Sequence, residues 1–231
     1  IQSKLKMINS IYIRKLIVVA PLLFSITIAG EKIAIVTKII GKAEYIRKKN
    51  APENLKRGFI IESGDEIATQ KGAFVAIVFI DDRSALKIRE KSKIALNGKK
   101  SAKKISKRIN LNSGTIRAQV KTGKDFLVQT SVSVASVKGT DFWVISDDKI
   151  GDSIIGLEGL VTLSNRISGE KIDIKPGITC ISSNDGSLQT FRSDPKNIPK
   201  DLFENAGQNN KLEIIFKDSI GKQKKLIIDY K

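Results

Sequence analysis

The side chains of this 231-residue chain offer few routes to catalysis. It contains no histidine, which removes the commonest general base and metal ligand. Its single cysteine, Cys180, lies in an apolar run, where a buried structural thiol is expected, and one cysteine cannot form an intrachain disulfide or a zinc site of several cysteines. A Ser-His-Asp triad is excluded, and no G-x-S-x-G sequence occurs. We therefore predict no catalytic residue, no metal site and no cofactor.

Carboxylates are the remaining candidates for acid–base chemistry. Asp65, Asp81, Asp82 and Asp141 could in principle form the paired carboxylates of a glycosidase. Each of them, however, lies at a predicted turn or strand edge, where aspartate commonly bonds to the local backbone. We therefore expect structural roles for them, and an envelope hydrolase remains only a minor alternative.

Residues 87–108 form a strongly basic segment, with ten basic residues and one acid, in a chain of formal charge +17. Such a segment would bind phosphates with a steep salt dependence. The candidate contacts to a polyanion or partner are Lys99, Lys100, Lys103, Lys104, Lys107 and Arg108. Lipid head groups, lipopolysaccharide phosphates or an acidic protein would suit them, whereas the lack of an aromatic residue for base stacking argues against nucleic acid. A solvated, self-repelling loop and a compositional bias toward lysine are the alternatives.

Residues 1–29 have the pattern of a targeting signal. Lys4, Lys6, Arg14 and Lys15 precede the uncharged, mostly apolar run 16–29. This run is shorter than the roughly 20 residues that span a bilayer and is typical of a signal peptide. The segment therefore predicts a periplasmic or secreted protein, and membrane contact arises only if it remains as an uncleaved anchor.

Residues 31–186 are expected to form an all-β domain. Short apolar runs alternate with glycine-rich turns, and no window sustains a helical apolar stripe. This spacing predicts a sandwich, a barrel or a solenoid. The apolar run 73–80 predicts a strand buried on both faces, and Asn97-Gly98 predicts a tight turn.

Residues 187–231 have a different character. Pro195 and Pro199 indicate a linker, and residues 202–206 predict a short helical turn. Residues 211–217 and 225–230 flank a polar segment centred on Gly221, which predicts a β-hairpin. An isolated hairpin is marginally stable, so it should dock on the main sheet or on another chain.

Residues 131–145, with the sequence SVSVASVKGTDFWVI, form the most distinctive segment. The small and β-branched residues predict strand structure buried on both faces, and Gly139 interrupts it, which indicates a bulge or a close backbone approach between strands at 132–137 and 142–145. Alternation along the strand would place Phe142 in the core and Trp143 on the opposite face, in a second core or available to a partner.

Residues 137–142 resemble the V-R-G-T-x-F core motif of the FecR domain, with Lys138 in place of arginine. In this resemblance Lys138, Gly139, Thr140, Asp141 and Phe142 are structural motif residues. Five further elements of the family occur in order between residues 33 and 182, at residues 60–69, 73–86, 111–114, 158–161 and 174–177. The weakest is the second, where Arg83 replaces the usual glycine.

The resemblance implies an all-β, sandwich or solenoid-like domain that works outside the cytoplasm through protein contacts. Only about 15 residues precede the apolar run, fewer than the anti-sigma segment of the sigma-regulating members requires, so a stand-alone exported domain is expected. The predicted function is non-enzymatic binding of an envelope protein or anionic polymer, with a role in envelope signalling. The alternative is a structural module that self-associates through sheet edges and the C-terminal hairpin, and the oligomeric state stays open.

Overall fold

The computed structural model describes residues 30–101, 104–121, 126–200, 210–217 and 222–230. This part of the chain consists of strands and turns, without a helix. The first nine strands are β1 (Lys32–Ile40), β2 (Ala43–Ile46), β3 (Glu53–Asn54), β4 (Ile60–Glu62), β5 (Asp65–Thr69), β6 (Phe74–Phe79), β7 (Ala85–Ile88), β8 (Lys93–Ser101) and β9 (Lys104–Gln119). The others are β10 (Phe126–Gln129), β11 (Ser133–Val137), β12 (Asp141–Asp147), β13 (Gly151–Glu158), β14 (Val161–Asn165), β15 (Lys171–Ile174), β16 (Ile178–Ser182), β17 (Leu188–Arg192), β18 (Asn210–Lys217) and β19 (Gln223–Tyr230).

The first 17 strands form two sheets that share one strand. Sheet A has the order β4-β1-β6-β7-β9-β12-β13-β16-β17. Sheet B has the order β3-β2-β5-β8-β9-β10-β11-β14-β15. All of these pairs are antiparallel except β9 and β10, which are parallel. The two sheets are continuous because β9 pairs within sheet B up to Ser113 and within sheet A from Gly114 onward.

Gly114 is where β9 crosses between the sheets. Its φ is +103°, and a Cβ there would lie 2.5 Å from the Cα of Ser92. A side chain is therefore excluded both by conformation and by space. The long strand can change sheets only because this position is glycine.

One apolar core fills the space between the sheets. Phe79 of sheet A and Phe126 of sheet B meet edge to face, with ring centroids 5.9 Å apart. Ile67 and Ile109 of sheet B belong to the same buried cluster as Ile116 of sheet A. This arrangement confirms the predicted all-β class of many short strands.

From β10 onward, successive pairs of strands join the two sheets alternately, which is a solenoid-like order. The pair β10 and β11 lies in sheet B, β12 and β13 in sheet A, β14 and β15 in sheet B, and β16 and β17 in sheet A. The C-terminal strands β18 and β19 form the predicted hairpin as a separate two-stranded sheet. The predicted helical turn at 202–206 and the segment 1–29 lie outside the described residues.

The strands predicted within residues 131–145 are present as β11 and β12, but β11 lies in sheet B and β12 in sheet A, so Gly139 lies in the connection between the sheets and not in a bulge. One local prediction was wrong. Asn97 and Gly98 do not turn the chain but lie inside β8. A Cβ on Gly98 would approach Ile33 Cγ2 of the facing sheet to 2.6 Å, so this glycine serves close sheet packing.

Candidate functional site

The core motif forms the crossing from sheet B to sheet A. Lys138 and Gly139 are exposed, and Gly139 adopts a φ of +66°. Thr140 is buried immediately before β12, and Phe142 is fully buried in the core. The motif therefore fixes a change of sheet, as a packing element would.

Asp141 is the charged anchor of this crossing. It accepts two hydrogen bonds of 2.8 Å from Arg117, one from Nε and one from Nη2, and one of 3.0 Å from Gln119 Nε2. Arg117 lies on β9, opposite Trp143 of β12. Both charged side chains are largely buried, and two hydrogen bonds join them, so this pair holds β9 against β12.

A polar cleft adjoins the motif. It is lined by Gln119, Val120, Lys121, Gly139, Thr140, Asp141 and Glu158. Asp141 is already engaged by Arg117, and Thr140 Oγ1 is buried without a hydrogen-bond partner among the described residues. The cleft thus offers an exposed acid and an exposed base at its rim, Glu158 and Lys121, but no assembled nucleophile and base.

Trp143 lies on the outer face of sheet A, yet it is 2% exposed. The Arg117 guanidinium carbon lies 5.7 Å from its ring centroid, a cation–π arrangement. Pro195, Ile198 and Pro199 line one cleft with Trp143 and Arg117, so the segment after β17 covers this face. Arg89 Nη1 donates a 2.6 Å hydrogen bond to the carbonyl of Lys200 and holds the segment in place.

Three other predicted turn aspartates are also ion-paired. Asp65 is 1% exposed and accepts bonds of 2.8 and 2.7 Å from Arg47 Nε and Nη2. Hydrogen bonding to Asp65 raises the pKa of Arg47. Asp81 and Asp82 both bind Lys107 Nζ, at 2.9 and 2.7 Å. The local backbone bonds exist as well, from Glu62 N to Asp65 and from Ser84 N to Asp82, but sequence reasoning missed the ion pairs.

The basic candidates divide into separate groups. Lys99, Lys100 and Arg108 are exposed on the β8–β9 hairpin. Lys107 is 4% exposed and committed to Asp81 and Asp82, so it is not available to an external polyanion. Its position could have been found from the alternation of Ile105, Lys107 and Ile109, which places the lysine on the inner face. Lys103 lies outside the described residues, and Lys104 is placed as a strand residue of β9.

Metal ligands and the single thiol are the other reactive groups to consider in the described part of the chain. It holds no group of three or more histidine, cysteine, aspartate or glutamate residues positioned for a metal ion. Cys180 is fully buried, and desolvation raises the pKa of its thiol to about 11. No helix in the same residues is long and apolar enough to cross a membrane.

Comparison with known families agrees with the resemblance of residues 137–142 to the FecR core motif. Residues 65–162 match the family model described as FecR protein. This segment is a FecR domain. It spans β5 to the start of β14 and includes the whole core motif, whereas the first and last of the six similar elements extend outside it, at residues 60–64 and 174–177. The FecR domain therefore contains the β9 crossing, the Arg117–Asp141 pair and the basic hairpin.

Two crystal structures of candidate anti-sigma factors from Parabacteroides distasonis are similar to this chain. The identities are 15% and 16% and the TM-scores 0.45 and 0.47. In both comparisons the match covers 56% of this chain and 60% of the other, so the chain spans about three fifths of the length of those proteins. No curated protein matches this chain.

Proposed function

We propose that this chain works at the bacterial cell envelope as a non-enzymatic FecR-domain protein whose β8–β9 hairpin binds an acidic protein, an anionic polymer or anionic lipid head groups. Contact with such a partner would serve envelope signalling. The basic and apolar pattern of residues 1–29 supports export to the periplasm or beyond. The observation that carries the proposal is the exposure of Lys99, Lys100 and Arg108 on one hairpin.

No acidic residue lies close in sequence to the basic residues of this hairpin. Residues 91–121 contain no aspartate or glutamate. Lys99 lies opposite Ser106 and Arg108 opposite Asn97, so the two basic residues share one face of the ribbon. Lys100, one position along β8, lies on the other face. An anionic surface can therefore contact positive charge from either side of the hairpin.

Vesicle binding at graded salt tests this proposal. We expect the full chain to sediment with phosphatidylglycerol vesicles and not with neutral phosphatidylcholine vesicles, with retention falling steeply as salt rises. Changing Lys99, Lys100 and Arg108 together to glutamine should weaken vesicle binding by roughly a hundredfold, because each basic residue near the surface contributes about 1 kcal/mol. Binding to an acidic protein instead would give no vesicle retention but salt-sensitive retention on an immobilised acidic polypeptide.

The matched control removes the same charge elsewhere. Lys171, Lys175 and Lys196 are exposed and distant from the hairpin in sequence. Changing these three to glutamine should leave most of the retention. Equal loss in the two triple variants, or retention that does not depend on salt, would overturn the assignment to the hairpin.

Self-association through sheet edges is the second candidate, and a specific observation favours it. Among the described residues, strand β17 pairs with β16 alone, and its Phe191 is 47% exposed. On the C-terminal hairpin, Ile215 is 65% and Ile227 45% exposed. Apolar residues on an open edge and an isolated hairpin would suit strand pairing with a second copy. Light scattering after size exclusion tests this candidate. A full chain that dimerises, while a chain ending at residue 200 stays monomeric, supports it. A full chain that is strictly monomeric contradicts it.

A further inference from the structure

A buried lysine contacts two adjacent carboxylates between the sheets. Lys107 Nζ lies 2.9 Å from Asp81 Oδ2 and 2.7 Å from Asp82 Oδ2. The exposed fractions of the three side chains are 4%, 9% and 11%. Lys107 lies on β9 and the aspartates follow β6, about 25 residues earlier in the chain. The group therefore joins two elements that are distant in sequence.

The surroundings of Lys107 and the two aspartates keep water away from the charged groups. The Phe79 ring centroid lies 5.3 Å from Nζ and shields it from water. The backbone N–H of Ile105 donates a 2.8 Å hydrogen bond to Asp81 Oδ2, and Nζ contacts the carbonyl of Ile105 at 3.3 Å. Asp81 Oδ1 is buried and has no hydrogen-bond partner among the described residues. One ammonium thus faces two carboxylates in a dry site, and one carboxylate oxygen is unsatisfied.

The geometry points to an intramolecular isopeptide bond between Lys107 and Asp81, with Asp82 as the proton carrier. Asp82 accepts a proton from Nζ, and the neutral amine attacks Cγ of Asp81. The N–C bond forms, a C–O bond of Asp81 breaks, and the two protons lost by nitrogen leave with that oxygen as water. An ammonium and a carboxylate become an amide and one water molecule, with no oxidant, reductant or activating group required.

Burial and proximity make this condensation feasible. In bulk water the same reaction runs toward the separate ions, but exclusion of water removes the reverse reactant and the hydration that stabilises both charges. Holding the two groups in contact gives effective molarities of about 10⁵ M or more for well-oriented pairs. The product would tie β9 covalently to the end of β6, across the core at Phe79.

The mass of the purified, folded full chain tests the inference directly. Under denaturing conditions we expect a mass lower by one water molecule than that of the sequence from its determined N-terminus. Proteolysis should yield a branched peptide joining the fragments that hold Asp81 and Lys107. A folded chain that keeps the full mass after prolonged incubation overturns the inference and leaves the three side chains as an ion-paired cluster.

Variants separate the roles of the three residues. Lys107→Arg should keep the full mass, and Asp81→Asn should lose one ammonia instead of one water, because the amide nitrogen becomes the leaving group. Asp82→Asn keeps an oxygen that can accept from Ser84 N but cannot carry the proton, so the rate of bond formation should fall by roughly a hundredfold. Lys99→Arg, on the exposed hairpin, is the control and should still lose one water. An unchanged rate in Asp82→Asn would overturn its assigned role.

Discussion

Arg117 and Asp141 are joined by two parallel hydrogen bonds of 2.8 Å across neighbouring strands of sheet A. Arg117 is the residue opposite Trp143, and Asp141 is the first residue of β12 after the crossing from sheet B. One ion pair therefore fixes the family core motif to the strand that both sheets share. The motif aspartate holds the start of β12 against β9 through this arginine.

Asp141→Asn should destabilise the fold substantially. It removes the negative charge of the carboxylate that pairs with the buried Arg117 guanidinium, a change that costs about 3 kcal/mol for a buried pair. Chemical denaturation of both proteins measures the loss. Asp173→Asn is the control, because Asp173 is exposed and its bond to Thr162 is a surface contact, so its effect should stay within about 0.5 kcal/mol. Similar losses in the two variants would contradict the anchoring role.

Gly139 is required for its conformation and not for space. A Cβ there would meet only Lys121 O, at 3.8 Å, but its φ of +66° is unfavourable for other residues. Gly139→Ala should cost about 1–2 kcal/mol, Gly139→Val more, and Gly139→Asn clearly less, because asparagine tolerates this region. Thermal melting ranks the three variants.

Gly159 provides the contrasting case. A Cβ there would lie 2.5 Å from the carbonyl oxygen of Gly139. At this position asparagine should be no better tolerated than alanine, since the obstacle is steric. If asparagine rescued both positions equally, the distinction between them would be wrong.

The sequence was sufficient for the class of fold and the family but not for the pairing of charges. Alternation in runs such as residues 116–120 predicts strands directly, because period-two burial is local. The contacts of Asp65 with Arg47 and of Asp141 with Arg117 depend on sheet register, which no local pattern specifies. Gly98 shows the same limit: Asn-Gly is a local turn signal, and packing against Ile33 in the facing sheet overrides it.

Cys180 should make the fold less stable at high pH. Its pKa is raised to about 11 by desolvation in the folded state, against an ordinary value of 9.0 when exposed. The unfolded chain therefore loses this proton first, and stability falls by up to about 1.4 kcal/mol for each pH unit between those values. Denaturation of the wild type and of Cys180→Ala across this range isolates the contribution, because lysine and tyrosine titration is common to both. Parallel pH profiles would contradict a buried thiol.

Trp143 is the only tryptophan of the chain, so its fluorescence reports on the cover of sheet A. Because Pro195, Ile198 and Pro199 share a cleft with it, a chain ending at residue 192 should show red-shifted emission and faster acrylamide quenching. A chain ending at residue 200 removes the C-terminal hairpin but keeps the cover and the Arg89 contact, so its emission should match that of the full chain. Circular dichroism confirms that both shortened chains keep their strands. A red shift in the shorter chain would show that this outer face of the FecR domain becomes accessible when residues 193–200 are removed. Unchanged emission would show that Arg117 and the sheet shield the indole without those residues.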